Sequence, residues 1–124
     1  VYKRQLLMAM KDFSLKQHIV ENTLFGNSKG GIYECAIADA LYKKGYPLYF
    51  YKNETTKRKI DVMIQKDGVV VPIEVKSGNT RANSLKSILK MNADIPYGYK
   101  FVDGNIGVSD DGIITLPLYM IAFI

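Results

Sequence analysis

The sequence predicts a single mixed α/β domain in which helices pack on a sheet, and three observations predict it. Helical and strand periodicities alternate along the chain in the order helix, strands, helix, strands. The stretch "KIDVMIQKDGVVVPIEVK" holds two apolar, β-branched runs joined by Asp67-Gly68, the strongest short hairpin signal a sequence offers. A length of 124 residues, with 48% hydrophobic and 23% charged content, suits one globular domain able to bury a sizeable core, not a disordered chain.

Taken in order, Gln5 to Leu24 has helical spacing, with Leu6, Leu7, Met10, Phe13 and Leu15 on one side. "FGNSKGG", Phe25 to Gly31, reads as a turn before a stronger helix from Ile32 to about Lys44. Tyr33, Ala36, Ile37, Ala40 and Leu41 share its apolar side, and Glu34 lies at the border. Lys43 and Lys44 stand in its last turn, where the helix dipole favours cations, and Gly45 ends it. Leu48 to Tyr51 reads as a short strand whose Tyr49, Phe50 and Tyr51 belong to the core rather than to a base-stacking platform. A basic loop, "KNETTKRK", leads to the hairpin strands Ile60–Gln65 and Val69–Lys76. Asn83 to Met91 reads as a helix with Leu85, Ile88 and Leu89 inward. "YGYKFV", "IGVS" and "IITLPLYMI" are short strands separated by turns. Residues 1–29 are expected to be an N-terminal helical segment, truncated if Val1 marks a fragment, and residues 30–124 the domain proper.

Bulk properties narrow the function classes. A net charge of +5 favours a polyanionic partner without specifying one. No apolar run is long enough to span a bilayer and no signal peptide opens the chain, so no membrane partner is expected. A single cysteine, Cys35, fits a reducing cytoplasm and reads as a small packed residue. His18, the single histidine, reads as solvated.

The hairpin allows its register to be calculated. If Asp67-Gly68 is a two-residue turn, Lys66 faces Val69, Ile64 faces Val71, Met63 faces Pro72, Val62 faces Ile73 and Asp61 faces Glu74. Pro72 supports this register, because it falls on a non-hydrogen-bonded pair where its missing N–H is not needed. Glu74 and Lys76 share one face by strand alternation. Two directly opposed carboxylates repel. Three resolutions remain: one carboxyl is protonated, a lysine such as Lys76 bridges them, or a divalent cation binds between them. Hard oxygen ligands suit Mg²⁺ or Mn²⁺.

Asp61, twelve residues, then Glu74-Val75-Lys76 resembles the signature of the PD-(D/E)XK nuclease superfamily, here on a hairpin between two helices. More narrowly, "GGIYECAIADALYKKG", "LYFYK", "KIDVMIQKDGVVVPIEVKSG", "SLKSILK" and "LPLYM" together resemble domain-of-unknown-function 4143, over Gly30 to about Met120. That family occurs at the C-terminus of many prokaryotic AAA-type ATPases. The resemblance implies an α/β, restriction-endonuclease-like fold: a mixed β-sheet flanked by helices. It makes Asp61 and Glu74 the metal-binding acids, Glu34 the helix glutamate of the site and Lys76 the catalytic lysine, with Mg²⁺ or Mn²⁺ as cofactor. Ile60 stands where the signature has proline, Lys59 where the narrower family often has glutamate, and Cys35 where it often has asparagine. None of these changes removes a metal ligand.

The expected function is therefore a Mg²⁺-dependent DNA nuclease, or a nuclease-derived DNA-binding module, working beside an AAA-type ATPase. The rival is a non-catalytic docking domain of such an ATPase. No GxxxxGK[ST] loop is present, so the ATPase would be another domain or chain. Lys57, Arg58, Arg81, Lys86 and Lys90 are expected to form a positive surface bordering the site, with DNA as partner.

Overall fold

A computed structural model describes residues 27–78 and 81–124. The helix expected over Gln5 to Leu24, and His18 with it, lie outside the described residues. Helix α1 spans Asn27–Lys43, strand β1 Tyr49–Lys52, β2 Lys59–Lys66 and β3 Val69–Lys76. Helix α2 (Asn83–Met91) leads to β4 (Gly98–Val102), β5 (Gly107–Val108) and β6 (Ile113–Pro117), and a 3₁₀ helix covers Leu118–Phe123. The strands form one six-stranded sheet in the order β1-β2-β3-β4-β6-β5. Its first half is antiparallel, whereas β3, β4 and β6 run parallel and β5 closes the edge antiparallel to β6.

Strand alternation explains why a helix lies on each face. Val71, Ile73 and Val75 of β3, with Tyr99 and Phe101 of β4, point to one side and bury against Ile37 and Leu41 of α1. Pro72 and Gly98 point to the other side, where Leu85 of α2 packs so closely that a Cβ on Gly98 would stand 2.7 Å from Leu85 Cδ1. Ile60, Ala82, Ile88 and Ile113 complete that second, smaller core. α2 thus bridges the parallel strands β3 and β4 while covering the face opposite α1.

The hairpin turn has the geometry its residues predict. Asp67 (φ 52°) and Gly68 (φ 80°) both take positive φ, the pattern of a type I′ turn, and Lys66 pairs with Val69. Met63 faces Pro72 and Val62 faces Ile73, the expected register. Gly45 ends α1 at φ +90°, with its own N–H and that of Tyr46 returning to the carbonyls of Tyr42 and Leu41.

Three elements differ from expectation. α1 begins at Asn27, not Ile32, so "NSKGG" is helical rather than a turn. Each glycine weakens a helix by about 1 kcal/mol relative to alanine but leaves helical φ and ψ open, and the apolar side from Ile32 onward holds the helix in place. Tyr49 and Phe50 are exposed on the edge strand instead of belonging to the core. The expected strand "IITLPLYMI" stops at Pro117, whose missing N–H ends the ladder, and the chain turns into the 3₁₀ helix.

Candidate functional site

The expected face-to-face pairing of Asp61 with Glu74 gives way to a bulge in β2. Tyr49 of β1 pairs with Met63, but Tyr51 pairs with Ile60, so β2 carries one extra residue between these pairs. Ile60 and Met63 accordingly pack on the α2 side, while Val62 packs on the α1 side. The β2–β3 ladder ends at Val62–Ile73, one pair short of Asp61 and Glu74. Asp61 fills the gap with its side chain, its Oδ2 accepting the Val75 N–H at 2.8 Å. A carboxylate thus replaces the carbonyl that a continuing ladder would have supplied, and its side chain is only 5% exposed.

Glu74 stands on the α2 side in a matching arrangement. Its Oε2 accepts the Leu85 N–H at 3.3 Å, in the first turn of α2, where backbone N–H groups lack partners within the helix. Its Oε1 pairs with Lys76 Nζ at 2.9 Å. Both acids therefore use one oxygen on a backbone N–H and present the other to a lysine: Asp61 Oδ1 lies 3.4 Å from Lys59 Nζ.

Glu34 of α1 points to the same place. Its Oε2 is 3.5 Å from Lys59 Nζ, so one ammonium spans Glu34 and Asp61. Partial burial of Lys59 works against its charge, but the carboxylates of Glu34 and Asp61 outweigh it and hold its pKa above the ordinary value. For Glu34 the balance is different. Burial and the charge of Asp61 raise its pKa above the ordinary 4.5, and Lys59 and Lys76 offset that only in part. The lysine sees two opposite charges, whereas each acid also sees the other acid.

A testable pH dependence follows from the sign of the Glu34 shift. A folded-state pKa above the unfolded value means that ionising Glu34 weighs against the fold. That penalty is absent below pH 4.5 and complete above the raised folded-state value. Glu34→Gln is therefore expected to melt higher than the parent protein at neutral pH, with the gain disappearing as pH falls below 4.5. Paired thermal melts across that range check it, and a gain that grows towards acid contradicts it.

The basic residues expected around the site separate into two groups. Arg58 reaches from the β1–β2 loop to the Ser87 hydroxyl of α2, while Lys57 lies 4.0 Å from Glu54, and Lys90 stands in the last turn of α2. Arg81 and Lys86 line a cavity at the start of α2 together with Lys100, Ser109 and Thr115. Lys100 was not anticipated. It is 8% exposed on β4, directly beside Glu74 in the parallel register and beside Thr115 on β6. A lysine inside "YGYKFV" was the available signal, but its neighbours depend on the crossover that sets β4 against β3.

As a donor set, Asp61 and Glu74 fit a hard divalent cation. Each carboxylate is oriented by a backbone N–H, and a cationic ammonium already stands at its second oxygen. Among the described residues, no three His, Cys, Asp or Glu side chains form a ready-made metal cluster. The acids instead pair with two different lysines, Asp61 with Lys59 and Glu74 with Lys76.

Fold and site together define an α/β domain, a mixed sheet between helices with a lysine-paired acidic centre at the end of its hairpin strands. The model of DUF4143, a domain of unknown function, matches residues 29–121, and the chain belongs to that family. No curated protein and no solved structure matches the chain. No described helix is long and apolar enough to cross a membrane.

Proposed function

We propose that this domain is a PD-(D/E)XK-like, Mg²⁺- or Mn²⁺-dependent nuclease domain, or a DNA-binding module descended from one, acting beside an AAA-type ATPase. One observation carries the reading: Asp61 and Glu74, both nearly fully buried, are each anchored to a backbone N–H while their second oxygens face a cation. Asp61 and Glu74 would hold the metal ion, with Glu34 as a further carboxylate at its border. The bound ion would supply Lewis-acid polarisation of a phosphodiester and a water of lowered pKa. Lys76, one-third exposed and 2.9 Å from Glu74, would direct its ammonium at a phosphoryl oxygen or hold the attacking water. The Val75 and Leu85 N–H groups would keep both carboxylates oriented without reorganisation.

A titration with Mn²⁺, read by calorimetry and by cleavage of labelled DNA at low salt, tests this proposal. Saturable binding that is lost in Asp61→Ala is expected, with any DNA affinity falling steeply as salt rises. No cation binding, or DNA binding indifferent to salt, supports the second reading. In that reading the fold is a docking domain of an ATPase, and Lys59 serves as a permanent counter-ion between Glu34 and Asp61. The specific observation in its favour is that this single ammonium already pairs with both acids.

A further inference from the structure

We propose that the cavity at the N-terminus of α2, floored by Lys100, is a phosphoryl-binding subsite beside the acidic centre. Lys100 is more than nine-tenths buried, lines the cavity, and has no ion pair or side-chain hydrogen bond to another described residue. The stem of Lys100 is packed on the sheet while its ammonium has no partner among the described residues, which leaves it available to an anion that enters the cavity. The surroundings fit such an anion. Arg81 contributes an exposed guanidinium, Lys86 a second ammonium, and Thr115 a hydroxyl group. The first turn of α2 adds the positive end of its dipole. Two carboxylates stand near: Asp111 pairs with Lys86 at 3.1 Å and accepts the Ser109 hydroxyl hydrogen bond, and Glu74, beside Lys100 in the strand register, pairs with Lys76. Asp111 neutralises Lys86 in part and leaves Lys100 and Arg81 available.

Size and position select the ligand. The cavity measures about 210 Å³, below the roughly 300–1,000 Å³ of pockets for organic cofactors, so it suits a phosphoryl group and its waters. Glu74, Lys100 and Thr115 stand side by side on adjacent strands, about 5 Å from strand to strand. A phosphoryl group on Lys100 is therefore a near neighbour of whatever Glu74 holds, as successive phosphates of one nucleic-acid strand would be. Assigning the polymer rests on the nuclease reading above, whereas the anion site rests on Lys100 and its cavity alone.

The test uses the whole chain in chelator-containing buffer, where the metal reading has no influence. Inorganic phosphate is expected to raise Tm in a saturable way, over the gradual, unsaturable rise that excluded salts give any protein. Lys100→Met is expected to keep only the gradual component and, without phosphate, to melt at or above the parent protein. Arg81→Gln, a surface change, is expected to weaken the saturable component, which keeps the test open should Lys100→Met fail to fold. Affinity for a short single-stranded oligonucleotide should fall about tenfold in Lys100→Met, the loss of one charge-assisted contact. If the fall is confined to 5′-phosphorylated oligonucleotides, the group bound is a terminal phosphate. If it is shared by 5′-hydroxyl ones, the group is an internal phosphodiester. No saturable phosphate effect in the parent protein, an equal effect in both variants, or a Lys100→Met protein that folds but melts well below the parent overturns the subsite. A phosphate effect without Mn²⁺ binding overturns only the nuclease reading, and Mn²⁺ binding without a phosphate effect overturns only the subsite.

Discussion

Glu74→Ala is expected to lower stability by about 2–4 kcal/mol and to abolish any metal-dependent hydrolysis. The size follows from what the side chain holds. Glu74 is 4% exposed, and its removal leaves the Leu85 N–H without an acceptor under a packed helix and Lys76 without its partner. It also leaves a void between β3 and α2. Glu74→Gln separates the contributions. An amide oxygen can still accept the Leu85 N–H, so most of the stability should return, while the charge that a cation or Lys76 needs stays absent. Urea unfolding of both variants, set beside cleavage assays, checks this. A Glu74→Ala protein as stable as the parent would mean that the acid does not hold α2 on the sheet.

The hairpin that carries the acidic centre, though not its contact with α2, was legible in the sequence, and the reason is local. Asp67-Gly68 dictates a type I′ turn, the turn sets the hairpin register, and Pro72 tolerates only a non-hydrogen-bonded position in it. These constraints act over a few residues, so Glu74 and Lys76 could be placed on one face without any tertiary information. The family resemblance rests on the same stretch, and the match over residues 29–121 bears out its narrower part.

What escaped the sequence is set by tertiary packing. The bulge between Ile60 and Met63 answers competing demands: Ile60 fills the core under α2 while Val62 fills the one under α1. Simple alternation would put Ile60 and Val62 on the same side, and it also gave the opposed carboxylates that the structure lacks. Lys59 lay in a basic run that read as solvated loop, and its two acidic partners come from α1 and from the bulge. Lys100 meets Glu74 only because α2 carries the chain to a parallel strand. In each case the missing information is which face an element turns to a distant neighbour.

The bulge also reverses the expected effect of neutralising Asp61. Were Asp61 and Glu74 opposed, Asp61→Asn would relieve repulsion and leave the protein as stable or more so. In the observed geometry Asp61 Oδ2 holds the Val75 N–H and Oδ1 faces Lys59. An asparagine oxygen can keep the first contact, but its NH₂ group then meets the Lys59 ammonium, donor against donor. Metal-free Asp61→Asn is therefore expected to be about 1–2 kcal/mol less stable than the parent, the loss of one charge-assisted contact at a site whose lysine is well exposed. Lys59→Gln distinguishes the two functional readings. If Asp61 holds a divalent cation, the Lys59 ammonium competes for the same oxygen and removing it should tighten Mn²⁺ binding. The Coulomb term between unit charges 4 Å apart is about 4 kcal/mol at an effective dielectric of 20, and solvent screening of so exposed a lysine reduces it to roughly a tenfold change. Melting curves of the parent, Asp61→Asn and Lys59→Gln proteins, with and without Mn²⁺, give the result in one experiment. The metal site requires a Mn²⁺-dependent rise in Tm that is largest in Lys59→Gln and absent in Asp61→Asn. A docking domain requires no rise in any of them and a lower Tm in both variants, because each variant breaks the Lys59–Asp61 pair and no cation takes its place.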